Sequence, residues 1–406
     1  MLEETLRLFN PWWSREFTAP GIPRTGYIRK IRQALGMRKV AILFGLRRVG
    51  KSTIMKQYAA ESLSTLRPDR IYFASMDHPG IERTSILDLL RECRRITSAK
   101  TNEDVLLLLD EIQHRDGFEQ ELKAIVDIED KVMIIASGSS SLALAHASPY
   151  LTGRYLRIPV RPLSFREFLS FRSQEYLEHE PQLMEALADE YLLTGGMPEY
   201  VLTGDPQTLT NLVEDVIYKD ICSRYEVQDP KLLKELYYLL MTRVGSRLSF
   251  SKMGRLIGVN VDTARRYTGF FEEAFLLNII ERDGSPNVRK ASPRKCYAPD
   301  TGIRVVMAGE SNVGSLAENA VYLRLKEEGE VRYLLENEGE IDFLVGGKAV
   351  EVKYWDKLEK DQISCLTYYR GRRVKDKIVV TRRAGPTVGN VERIPLWRFL
   401  DGEEQP

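Results

Sequence analysis

A short apolar run, VAILF at 40–44, leads into Gly45-Leu46-Arg47-Arg48-Val49-Gly50-Lys51-Ser52 and then into the helix-forming stretch STIMKQYAAES. That order constrains the fold more than any other feature of the chain. The spacing fits G-x-x-x-x-G-K-[ST], whose physics requires a strand before it and a helix after it. Gly45 and Gly50 let the backbone curl so that successive N–H groups point at phosphate oxygens. The helix N-terminus adds positive partial charge. Lys51 is expected to reach the β and γ phosphates of a nucleotide and Ser52 to ligate Mg²⁺, with Arg48, Val49 and Thr53 completing the nucleotide-facing stretch. The plain alternative is a Gly-rich strand-to-helix turn with an exposed lysine.

Four further apolar runs follow: RIYFASMD at 70–77, VLLLLDE at 105–111, KVMIIASGSS at 131–140 and YLRIPVRPLS from 155. Continuous apolar strands separated by amphipathic segments predict an α/β domain over 1–175, with a parallel sheet covered on both faces. The third run ends in Asp110-Glu111, which puts two carboxylates at the carboxyl edge of the sheet, where such folds bind ligands. Asp110 is expected to hold Mg²⁺ through water and Glu111 to polarise the attacking water, a role that GTPases give to glutamine. Ser137 and Ser139 emerge at the end of the next strand. They read equally as partners of the γ phosphate or as caps of the helix after them.

Composition narrows the classes. Hydrophobic residues make up 43% and charged residues 29% of the 406, near the globular average, which excludes disordered and fibrous chains. Lys+Arg 59 against Asp+Glu 58 excludes a polycation coating nucleic acid, so any basic surface is local. Cys93, Cys222, Cys296 and Cys365 form no CxxC pair, and with four histidines in the chain neither a zinc site nor a disulfide framework is expected. No apolar run approaches the roughly 18 residues of a membrane span, and the N-terminus has no apolar signal core. A cytoplasmic protein that does not engage membranes is the expectation.

Beyond 175 the period becomes helical, and 176–228 is expected to be a helical lid broken by Gly195-Gly196-Met197-Pro198. In 229–300, Ser249, Gly258 and Asp262 mark the ends of two helices with apolar stripes at Met253, Leu256, Ile257 and at Ala264, Tyr267, Phe270, Phe271. This helix-turn-helix pattern, followed by a wing-like hairpin, predicts a winged helix. Six basic residues lie between Arg243 and Tyr267 against one acid, and Arg282, Arg289, Lys290, Arg294 and Lys295 add to the wing. Such local charge suits a DNA backbone, with Lys252, Arg265 and Arg266 as the expected contacts. The competing reading is a protein–protein spacer with solvated charges.

The motifs GLRRVGKST, LLLLDEIQ, ASGSSS, LTGRY with RPLSFREFL, GGMPEY, VIYKDICSRY, KCYAPDTGI, SLAENAVY and EIDFLVGGKAVEVKYW, in this order, resemble AAA+/STAND-type P-loop ATPases. They are similar in particular to the bacterial and archaeal group with a DUF4143 C-terminal region. The resemblance implies ATP and Mg²⁺ as ligands and an AAA+ core with lid, winged helix and C-terminal restriction-endonuclease-like α/β domain. It further implies Ser139 as sensor, Arg154 as an arginine finger in a neighbouring subunit of a homo-oligomer, and Gly196 and Pro198 as the lid element touching adenine. The bottom-up alternative for Arg154 is a local ion pair.

In 301–406, Gly346-Gly347 suits a two-residue hairpin turn. Register follows by arithmetic: Val345 faces Lys348, Asp342 faces Glu351 and Glu340 faces Lys353. Glu340, Asp342, Glu351 and Lys353 share one face, and Ile341, Phe343, Val350 and Val352 the other. Opposed carboxylates destabilise a sheet unless a positive group lies between them, and a divalent metal on Asp342 and Glu351 is the expected one. Asp342 with Glu351-Val352-Lys353 is similar to the PD-(D/E)xK nuclease core, in which a preceding helix adds an acid, here Glu318. The alternative is a solvated face on which Lys353 pairs with Glu340 or Glu351. Together these readings predict an ATP-hydrolysing enzyme that binds or acts on DNA, or else a nucleotide-gated signalling or scaffold ATPase whose partner is protein.

Overall fold

In the computed structural model, which describes residues 2–138, 153–310, 312–336, 339–355, 360–371 and 374–402, the five apolar runs all become strands. They are β1 (Val40–Phe44), β2 (Ile71–Ser75), β3 (Val105–Asp110), β4 (Val132–Gly138) and β5 (Tyr155–Pro159). They form one parallel sheet in the order β2-β3-β4-β1-β5. Helices α1 (Leu2–Phe9), α2 (Thr25–Gly36), α3 (Lys51–Ser62), α4 (Ile86–Thr97) and α5 (Phe118–Ile128) belong to the same unit, Met1–Arg161. Every residue of β3 is buried, as expected of a strand covered on both faces. Because β4 lies between β3 and β1, the carboxyl ends of these three strands are neighbours, and that edge collects the candidate site.

The open side of β2 is closed by the N-terminal segment. The Asn10 side chain accepts from the Phe73 N–H at 2.6 Å and donates to its carbonyl at 2.9 Å, reproducing the bonds of a neighbouring strand. The indole N–H groups of Trp12 and Trp13 both donate to the Ile71 carbonyl at 2.9 Å. An edge consumed this way cannot template pairing with another chain.

The second unit, Pro162–Pro406, opens with helices α6 (Phe165–Phe171), α7 (Pro181–Thr194), α8 (Pro198–Thr203) and α9 (Gln207–Asp215). Helices α10 (Pro230–Met241), α11 (Phe250–Ile257) and α12 (Val261–Glu273) follow. Ser249 caps α11 and Gly258 ends it in the left-handed region, while α12 is capped by Asn260, whose side chain accepts from the Thr263 N–H. The predicted stripe on α11 is only partly buried: Met253 is, but Leu256 is 61% exposed. Gly254 takes the inward position instead, because the turn after α11 passes so close that a Cβ there would lie 2.7 Å from the Val259 carbonyl.

The expected hairpin forms, with β6 (Asn278–Ile280) antiparallel to β7 (Lys295–Tyr297), but its connection contains a helix, α13 (Pro286–Ala291). Ser285 accepts from the Val288 N–H and Pro286 follows it, a local helix start that the wing-like reading overlooked. Helices α14 (Thr301–Ala308) and α15 (Val313–Leu325) lead into strands β8 (Arg332–Glu336), β9 (Gly339–Val345), β10 (Lys348–Lys353), β11 (Asp376–Thr381) and β12 (Glu392–Pro395). The order is β12-β11-β10-β9-β8, antiparallel across β8-β9-β10 and parallel across β10-β11-β12. Lys348 faces Val345 and Val350 faces Phe343, the register the turn demanded. No helix among the described residues is long and apolar enough to cross a membrane.

Candidate functional site

The loop between β1 and α3 takes the shape its glycines permit. Gly45 has φ +149° and packs so tightly that a Cβ would collide with the Val160 carbonyl. Gly50 has φ +96° and is the left-handed residue before α3. Arg48, at φ +61°, is held in the same region without a glycine's freedom. Lys51 is buried, and its ammonium donates to the Gly45 and Leu46 carbonyls at 3.1 and 2.9 Å, folded over the loop it serves.

Asp110 ends β3, buried, with a hydrogen bond from the Ser137 hydroxyl at the end of β4. Burial pushes the Asp110 carboxyl above the usual range, and hydrogen bonds from Ser137 and Ser52 and the charge of Lys51 pull it back. The Ser52 hydroxyl and Asp110 carboxylate therefore meet, a hard oxygen pair suited to Mg²⁺. Glu111 leaves the strand in the left-handed region, φ +50°, where its N–H donates to Ser137 Oγ at 3.3 Å and Gln113 donates to its carboxylate. Ser137 thus ties the two acidic residues together. Ser139 lies outside the described residues. Thr53 lies in the first turn of α3, and Val49 is fully buried.

Arg154 places its Nε 2.8 Å from the Asp127 carboxylate of α5. Gly196 is likewise engaged at home. Its N–H donates to Asp300 at 2.6 Å, its carbonyl accepts from the Leu163 N–H at 2.6 Å, and a Cβ there would collide with the Leu163 carbonyl. Pro198 is the first residue of α8. Asp300, which also caps α14 by accepting from the Ile303 N–H at 3.0 Å, joins GGMPEY to KCYAPDTGI. Burial pushes its carboxyl up to about 6, against backbone hydrogen bonds that favour the charge.

Lys252, Arg265 and Arg266 are exposed on α11 and α12, Arg265 within 3.7 Å of Asp262 and 5.6 Å from the centre of the Phe250 ring. The β6–β7 segment expected to be a wing is less basic at its surface than its sequence. Arg294 pairs with Glu281 at 3.1 Å, Arg282 donates to the Leu335 carbonyl at 2.7 Å, and Lys295 is only 2% exposed. The Lys295 ammonium lies 2.5 Å from Glu340, 3.4 Å from Glu318 and 3.6 Å from Asp342. Burial alone would lower its pKa, but the three carboxylates outweigh burial and raise it. Lys353 pairs with Glu351 at 2.5 Å, and Asp342 accepts from the Val352 N–H at 2.9 Å. Glu318 and Glu351 are both held above the usual carboxylate range, first by burial and then by the charge of Asp342.

The structure therefore brings Glu318, Asp342, Glu351 and Lys353 together, with the Lys295 ammonium among the acids. The positive group against the acids is an ammonium from β7. No group of three or more His, Cys, Asp and Glu side chains among the described residues is disposed to hold a metal ion. Sequence reasoning missed Lys295 because it counted a buried side chain as wing charge.

A buried strand, a curled glycine loop opening a helix, and an acid-tipped strand two places away define the phosphate-binding P-loop class. Within it, residues 37–169 match the family model described as AAA domain, so the first unit carries an AAA-type ATPase core. Residues 185–313 match a second model, Domain of unknown function (DUF8612), and not the DUF4143 group that the motifs resembled. The uncharacterized protein MJ1544 of Methanocaldococcus jannaschii is 26% identical over 80% of this chain and 76% of its own length. An uncharacterized protein of Haemophilus influenzae is 26% identical over 82% of this chain and 86% of its own. Among solved structures, AMPPCP-bound DnaA from Aquifex aeolicus overlaps 65% of this chain and 92% of its own at 17% identity and a TM-score of 0.29. Hsp104 of S. cerevisiae in its casein complex overlaps 71% and 61% at 15% identity and a TM-score of 0.33.

Proposed function

We propose that this protein is a Mg²⁺-dependent ATPase that binds DNA through the helix pair α11–α12. The observation that carries the ATPase reading is the convergence of Lys51, Ser52, Asp110 and Glu111 on one sheet edge. In this reading Lys51 leaves the loop carbonyls for the β and γ phosphates, and the N–H groups of 45–53 line the phosphate chain. Ser52 and Asp110 would hold Mg²⁺, which when bound offsets phosphate charge. Glu111 orients the attacking water, its backbone fixed by Ser137. For Arg154 to act in a neighbouring subunit's site it would have to exchange Asp127 for phosphate.

The DNA reading is supported by Lys252, Arg255, Arg265 and Arg266, all exposed on α11 and α12. A second reading, nucleotide-gated binding of a protein by the same helices, is favoured by exposed Leu256 and Val261 beside those charges. ATP turnover with and without single-stranded, duplex and branched DNA separates the two. Stimulation by DNA, with binding that weakens steeply as salt rises, supports the first. Each phosphate contact removed should flatten the log–log salt slope by about 0.9, so Arg265→Ala with Arg266→Ala should flatten it by up to about twice that. A protein that shifts no DNA at low salt favours the second.

A further inference from the structure

Arg24 has no role in the reading above, yet it is 3% exposed and its guanidinium is aimed at two backbone carbonyls. Nη1 donates to the Val49 carbonyl at 2.9 Å, and Nη2 donates to the Arg161 carbonyl at 3.0 Å. The planar fork suits such a bridge, since two donors are held in one rigid plane. The guanidinium also lies 4.5 Å from the centre of the Tyr27 ring, and the Tyr27 hydroxyl accepts from the Arg161 N–H at 3.1 Å. Both polar backbone groups of Arg161 are thus held by one Arg–Tyr pair. The pair is itself fixed to α3: Gln57 accepts from the Arg24 N–H at 3.3 Å and donates to the Pro20 and Ile22 carbonyls at 3.0 Å.

Two consequences follow from peptide geometry. In a trans peptide the C=O and the next N–H point in opposite directions. Holding the Val49 carbonyl from behind therefore aims the Gly50 N–H to the other side of that peptide, away from Arg24. The neighbouring Arg48 is held at positive φ without a glycine's freedom, so this stretch of the loop carries backbone strain. At the far end of the loop, Gly45 packs against the Val160 carbonyl, and the Val160 N–H donates to Phe44 at 2.7 Å. Both ends of the phosphate loop are therefore fastened to Val160 and Arg161, the last residues before the chain passes into the second unit.

We infer that Arg24 is a positioning residue that, with Tyr27, ties the phosphate loop to the Val160–Arg161 exit, so that the nucleotide held by the loop is reported to the segment leading into the second unit. This rests on the ATPase reading above. The test uses the full chain as wild type, Arg24→Met, Arg24→Lys and Tyr27→Phe, each checked for folding by its melting curve. Fluorescent mant-ATP titration gives affinity, and hydrogen exchange at 159–163 with ADP or with ATPγS reports the exit. Arg24→Met should weaken mant-ATP about tenfold or more, as loss of charge-assisted hydrogen bonds does. Arg24→Lys should not restore it, because a single ammonium is not a fork. Tyr27→Phe, which keeps the ring but frees the Arg161 N–H, should cost less affinity than Arg24→Met while reducing the ATPγS–ADP difference in exchange. A general loss of stability would not separate those two readouts. Wild-type affinity in Arg24→Met, an unchanged exchange difference in Tyr27→Phe, or no such difference in wild type overturns the inference. Absence of nucleotide binding in wild type overturns the ATPase reading itself, and that outcome is visible without any variant.

Discussion

The Ser137 hydroxyl donates to the Asp110 carboxylate and accepts from the Glu111 N–H at 3.3 Å, so one side chain at the end of β4 holds both acids at the end of β3. Removing it leaves the acids in place but unsteadied. Ser137→Ala should keep ATP affinity within a few-fold and lower turnover by about 10- to 100-fold, the usual cost of losing an orienting partner. Steady-state kinetics give the split: a change confined to KM would assign Ser137 to binding.

Asp300 gives a pH prediction. An unfolded Asp titrates near 3.9, whereas burial moves the folded one up to about 6. Between those values the folded state holds a proton that the unfolded state has released, so stability falls as pH rises from about 4 to about 6. The two-unit shift corresponds to about 3 kcal/mol. Urea unfolding of wild type and Asp300→Asn should therefore diverge with pH, the wild type losing about 2–3 kcal/mol relative to the variant across that window. Parallel profiles would mean that Asp300 titrates normally.

Lys295 gives a third prediction. Its replacement by Met leaves Glu318, Glu340 and Asp342 facing one another without their ammonium, and stranding buried charge costs about 3–5 kcal/mol. The loss should be larger at pH 8 than at pH 5.5, where protonation of Glu318, held up to about 7 by burial, removes one of the charges. Adding Glu340→Gln should recover part of it, as a double-mutant cycle would show. A loss equal at both pH values would point to lost packing around the lysine stem instead.

What could be read from residues alone follows from range. The five strands of the first unit were legible because buried parallel strands are continuous apolar runs. The β9–β10 register was legible because Gly346 and Gly347, at φ +55° and +90°, supply the turn its two-residue spacing demands. Long-range partners were not. Arg24 stands 25 positions from Val49 and Asp300 stands 104 from Gly196, and no local pattern links either pair. Lys295 misled because one charge in a basic stretch looks solvated until a sheet closes over it. Leu256 misled because the tight turn after α11 gave its inward place to Gly254.

The central claim is that this sheet edge hydrolyses ATP. The most direct test measures Mg–ATP binding and turnover together for wild type, Lys51→Ala and Glu111→Gln. The account predicts that wild type binds and hydrolyses ATP, that Lys51→Ala loses binding, and that Glu111→Gln binds ATP like wild type while turning it over at least about 100-fold more slowly. Wild-type turnover in Glu111→Gln would contradict the assignment of that carboxylate, and a wild-type protein that neither binds nor hydrolyses ATP would contradict the account as a whole.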